Sequence, residues 1–68
     1  MPFTVEVEME DDGRWLAEVM ALPGVLCYGQ TRAEAVERVE ALALRVLADR
    51  LDHGEAVPEM DSVFALTP

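Results

Sequence analysis

From Arg32 to Asp52 the chain contains neither glycine nor proline, and this stretch constrains the fold more than any other. Thr31 stands three residues before Glu34, the spacing of a capping box, in which a hydroxyl and a carboxylate satisfy the free N–H groups of a helix start. Ala35, Val36, Val39, Leu42, Ala43, Val46, Leu47 and Arg50 fall on helical spacings, all but Arg50 are apolar, and Leu51 extends the stripe. Glu34, Glu37, Arg38, Arg45 and Asp49 make the opposite face, with Glu34 and Arg38 in the favourable i to i+4 order. Gly54 after His53 is a stop, and Pro58 prevents resumption. A helix with one apolar face requires a sheet or another helix to bury it.

The residues before it supply the sheet. Phe3, Val5, Val7 and Met9 alternate with Thr4, Glu6, Glu8 and Glu10, the period of a half-buried strand. Asp11-Asp12-Gly13 is a turn, and residues 14 to 21 alternate again with Trp15, Ala17, Val19 and Ala21 on one side. A two-residue Asp12-Gly13 loop would set Val7 opposite Glu18. A three-residue loop with Gly13 as a left-handed bulge sets Met9, Val7, Val5 and Phe3 opposite Trp15, Ala17, Val19 and Ala21, all apolar pairs. The three-residue loop is therefore expected. Leu22-Pro23-Gly24 is a second break, followed by a short third strand from Val25 to Gly29. Continuing the register places Ala21 near Val25 and Val19 near Cys27, on the core face. Ser62 to Thr67 returns to strand character, and a strand after a crossover helix normally lies parallel in the same sheet. The expected fold class is α+β, a single β-β-β-α-β domain over residues 1–68. One long helix covers one face of a four-stranded mixed sheet, and the other face has no helix of its own.

At 68 residues such a domain buries only about 60% of the surface of its unfolded chain. One cysteine excludes an internal disulfide, and one cysteine with one histidine does not make an ordinary structural zinc site. Self-association is the remaining compensation. The formal net charge is −9 and all five basic residues are arginines. Such a surface repels nucleic acid and anionic membranes and suits a basic partner. No basic-then-apolar leader opens the chain and no run reaches the length of a membrane span, so a cytoplasmic location is expected.

Catalytic chemistry finds little support. Cys27 reads as a small core side chain, because His53 lies at the far end of the helix. His53 itself suits a helix C-terminus. Glu6, Glu8 and Glu10 share a strand face, with Glu18 near Glu6, and clustered carboxylates bind magnesium. A ribonuclease-H-like nuclease also needs acids in the helix and at the far end of the fourth strand, where this chain has Asp61 only at the start. Gly29-Gln30-Thr31 is too short for a phosphate loop, so a turn or a close backbone approach accounts for Gly29. No enzyme activity, cofactor or metal is expected.

Gly13, Trp15, Ala17, Leu22-Pro23-Gly24-Val25, Gly29-Gln30-Thr31 and Glu34-Ala35 together resemble the HicB-like antitoxin family over roughly residues 3 to 58. The resemblance implies a degenerate ribonuclease-H-like fold, assembly as dimers or tetramers, and neutralisation of HicA, a small basic ribonuclease that cleaves messenger RNA. Many members carry a further DNA-binding domain. The chain reaches Pro68 without one, so operator binding is not expected. The functional expectation is occlusion of a basic HicA-type toxin through Glu6, Glu8, Glu18, Asp11 and Asp12. Leu16, Met20, Leu26 and Tyr28 are the expected homo-oligomer interface, most simply of a dimer. The alternatives are an orphan homo-oligomeric binding or regulatory module with another protein or small ligand, and, third, a metal-dependent nuclease.

Overall fold

The computed structural model describes residues 3–68. Strands β1 (Val5–Met9), β2 (Trp15–Val19) and β3 (Leu26–Gly29) form an antiparallel sheet in the order β1-β2-β3, and helix α1 (Arg32–Asp52) packs on all three. The fold is thus α+β.

The first hairpin has the expected register: Val5, Val7 and Met9 face Val19, Ala17 and Trp15. The Gly13 N–H donates to the Glu10 carbonyl (2.9 Å) and the Glu10 N–H to the Arg14 carbonyl (2.7 Å). This closes a three-residue loop in which Gly13 has φ +88°, a conformation that a Cβ disfavours. Asp12 locks the turn from outside. Its carboxylate accepts the Arg14 N–H (3.0 Å) and the Arg14 Nε–H (2.7 Å). These bonds, the backbone one first, hold the Asp12 carboxyl below the usual aspartate range. The folded pKa is depressed, so the turn's contribution is present above the unfolded value and is lost as pH falls through the folded one. A carboxyl-carbon NMR titration should place the Asp12 midpoint below that of the same residue in an unfolded peptide, and Arg14→Ala should close only part of the gap, because the backbone N–H at position 14 still donates to the carboxylate.

The second hairpin departs from expectation. Cys27 lies opposite Ala17, not Val19, and Val19 donates its N–H to the Val25 carbonyl instead (3.0 Å). The shift is two residues, so every side chain keeps its face. The cause is a pair of consecutive tight turns, Leu22 N–H to Val19 O and Val25 N–H to Leu22 O (both 3.0 Å), which consume Met20 to Gly24 as loop. They drive Leu22 into the core at 2% exposure and leave Ala21 exposed, against its expected place opposite Phe3.

The helix begins and ends where the sequence predicts. The Glu34 N–H donates to Thr31 Oγ1 (3.1 Å), the Glu34 carboxylate accepts the Gln30 N–H (3.0 Å), and Arg38 pairs with Glu34 (3.2 Å). At the other end, Glu55 N–H to Arg50 O (2.9 Å) and Gly54 N–H to Leu51 O (3.0 Å) form a Schellman cap. The buried line is Ala35, Val39, Ala43 and Leu47, while Leu42 and Val46 pack half-buried beside it and Leu51 is exposed. With Ala17, Val19, Leu22, Val25 and Val57 these residues form the core, which contains no buried polar or charged side chain among the described residues.

The expected fourth strand is absent. A 3₁₀ helix, Pro58–Ser62, occupies its approach, with Pro58 in its first turn, where a missing N–H costs nothing. Val57 is buried and Met60 half-buried against the core, and the Met60 carbonyl accepts the N–H groups of both Val63 and Phe64 (3.0 and 2.9 Å). Chain that is bonded into this turn is not available to the sheet. Residues 63–68 are exposed and have no strand partner, so the sheet is three-stranded and purely antiparallel rather than four-stranded and mixed.

Candidate protein-binding face

Because α1 covers the side of the sheet that carries Val5, Val7, Ala17 and Val19, the alternation of each strand sends Glu6, Glu8, Leu16, Glu18, Leu26 and Tyr28 to the opposite face. Two cross-strand rows result. Glu6, Glu18 and Leu26 make one; Glu8, Leu16 and Tyr28 make the other. No element of the chain's described residues packs over either row. Glu6, Glu8, Leu16 and Glu18 line a shallow depression at the acidic end, with Val7 beneath. Leu26 and Tyr28 are 40% and 38% exposed at the β3 end.

Glu6 lies directly opposite Glu18. Like charges in that relation destabilise a sheet by about 0.2–1 kcal/mol against a neutral pair. The face therefore carries its acidity at a cost to the fold, which a bound cation or basic surface would offset.

The remaining expected residues distribute unevenly. Asp11 and Asp12 sit in the turn beyond Met9, but Asp12 is already paired with Arg14. The Arg14 guanidinium also lies 4.3 Å from the centre of the Tyr28 ring, a cation–π contact. Arg14 therefore neutralises one corner of the face and covers part of Tyr28. Its position two residues after Asp12 is a turn signal legible in the sequence. Met20 lies past the end of β2 in the loop, 50% exposed, with its N–H on the Thr4 carbonyl (3.4 Å). The interface set Leu16, Met20, Leu26 and Tyr28 is thus interrupted by Glu18, and it shares its face with the acids instead of forming an apolar patch of its own.

A second surface was not legible in the sequence. Phe3, Val5, Val19, Ala43, Leu44 and Leu47, with Glu40 at the side, line a groove along the β1 edge beneath α1. Leu44 is 66% exposed there. It lies outside the stripe drawn from helical spacing.

Cys27 is half-buried on β3 against the core, and His53 is exposed at the helix end with Nδ1 2.8 Å from the Asp49 carbonyl oxygen. Asp61 lies exposed in the 3₁₀ helix, so the strand end that the nuclease reading required does not form. Among the described residues no three of His, Cys, Asp and Glu come together to hold a metal ion. Nor is any described helix long and apolar enough to cross a membrane.

No family model matches the chain, and no solved structure matches it significantly. The chain is similar to UPF0150 protein Ta0767 of Thermoplasma acidophilum, 29% identical over 58 residues that cover 85% of this chain and 84% of the relative. That name states no activity, ligand or partner.

Proposed function

We propose that the protein is antitoxin-like: it binds a basic, messenger-RNA-cleaving toxin of HicA type on the outer face of its sheet and blocks it by occlusion, without chemistry of its own. The observation that carries this reading is the placement of Glu6, Glu8 and Glu18 together on an uncovered face, with two of them directly opposed, beside exposed Leu26 and Tyr28. A ribonuclease presents positive charge to hold phosphates. An acidic face with apolar residues at its side matches such a surface, and complementary charge speeds the encounter. The resemblance to HicB-like antitoxins points the same way.

The test is co-expression with a small basic protein encoded beside this gene, followed by size exclusion and an RNA-cleavage assay. Changing Glu6, Glu8 and Glu18 together to glutamine removes three charges, two of them exposed and that of Glu18 half-buried. Pairs of that kind contribute about 0.2–1 kcal/mol each, so affinity should fall roughly 3- to 100-fold, and binding should weaken as salt rises. The free protein should respond in the opposite sense and gain about 0.2–1 kcal/mol, because the Glu6–Glu18 opposition is gone. Toxin inhibition that is indifferent to both the substitution and salt would exclude this face. A chain that binds no such protein, but captures another, would be the orphan module instead.

A further inference from the structure

The chain leaves three needs unmet, and they fit one another. The first is an edge: β1 pairs only with β2, so among the described residues its outer N–H and C=O groups have no strand partner. Open edges of this kind accept further strands. The second is the groove along that edge, lined by Phe3, Val5, Ala43, Leu44 and Leu47 and about 180 Å³ in volume. An apolar cavity of about 150 Å³ takes a benzene ring, so the groove has room for one aromatic side chain. The third is the tail. Val63, Phe64 and Leu66 are 60%, 71% and 99% exposed, and from Ser62 to Pro68 there is no charged side chain. Phe64 and Leu66 stand two residues apart, on one side of any strand they form.

We propose that residues 64–67 of one copy, leaving the turn that holds the Val63 and Phe64 N–H groups, add as a short fourth strand to the β1 edge of a second copy, with Phe64 in the groove between β1 and α1. A two-fold exchange, each tail on the other's edge, closes the assembly as a dimer. The occupant is a second copy because Val57 and Met60 are packed on their own core, the Met60 carbonyl holds the Val63 and Phe64 N–H groups, and residues 63–68 that follow lie exposed, without a place in their own sheet. Charge selects the same surface. Two copies packed through their outer sheet faces would oppose Glu6, Glu8 and Glu18 of each. An uncharged tail entering a groove with one acid, Glu40, brings few charges together and leaves the outer face free. The inference does not rest on the toxin-binding proposal.

Sedimentation of the full chain at high micromolar concentration should give twice the 7.5 kDa mass. Phe64→Asp and a chain ending at Ser62 should each sediment as monomers with helical circular dichroism retained. Disulfide trapping separates exchange from closure within one chain. In a Cys27→Ser background, Thr4→Cys and Ala65→Cys made on separate chains and mixed should yield a covalent heterodimer. The proposal is overturned by a full chain that stays monomeric, by a dimer that survives both tail variants, or by a chain carrying both cysteines that links only to itself.

Discussion

Leu47→Ala should leave the protein largely unfolded at physiological temperature. Leu47 is 3% exposed in the last third of α1 and belongs to the core cluster. Truncating a buried leucine to alanine costs about 2–5 kcal/mol through lost transfer energy and the cavity left behind. A single core in a domain of this size rarely supplies more than about 3–5 kcal/mol in total, so the loss is comparable to the whole. Leu42 provides an internal comparison. It is half-buried beside the central line rather than in it, so Leu42→Ala should fall at or below about 2 kcal/mol. Denaturant melts of the three proteins at one concentration check the order, since self-association would otherwise alter apparent stability. A Leu47→Ala loss under about 0.5 kcal/mol, the size of an ordinary surface substitution, would mean that the helix buries another face.

Gly29→Ala should destabilise the protein comparably, although it adds one methyl group and removes nothing. A Cβ on Gly29 would stand 2.5 Å from the Ala35 nitrogen and 3.0 Å from both the Ala35 Cα and the Glu34 carbonyl carbon. All three are backbone atoms in the first turn of α1, so no side chain can swing aside. Either β3 or the start of the helix must move. That movement also strains the bond from the Arg38 guanidinium to the Tyr28 carbonyl (3.0 Å), which ties α1 to β3. Overpacking costs about 1–3 kcal/mol, and more where backbone must shift, so a loss of about 3 kcal/mol is expected. Gly13→Ala is the control: nothing lies within 4 Å of its Cβ, and the penalty comes from φ +88° alone, about 1–2 kcal/mol. If thermal melts reverse this order, β3 does not approach the helix as closely as described.

Both predictions bear on what could be read in advance. The reason for Gly29 was available as one of two, a turn or a close approach; only the placed helix chose the close approach, because nothing in residues 29–31 specifies how near the sheet α1 will lie. Leu47 was on the helical stripe, but so was Leu51, which is 47% exposed. A helix longer than the sheet beneath it runs out of partners, and periodicity does not record where the sheet ends. The acidic rows of the outer face were legible, since alternation alone puts Glu6, Glu8 and Glu18 together. Arg14 over Tyr28 was not legible, because the two residues meet only once β2 and β3 pair.

Some features the amino-acid order determined by itself. The helix start, its Schellman end and the first hairpin's register depend on residues within a few positions of one another: Thr31 with Glu34, Arg50 with Glu55, and Gly13 between two all-apolar alternations. Their energies are local, so a short window of chain contains both partners. Other features only the tertiary structure decided. The second hairpin slid by two residues because burying Leu22 required two tight turns, a choice that leaves the alternation unchanged and is therefore invisible to it. The tail from Ser62 to Thr67 has the composition of a strand, yet a strand's hydrogen bonds lie outside itself. Once Val57 and Met60 had found the core, the open edge of β1 was left without a partner strand among the described residues.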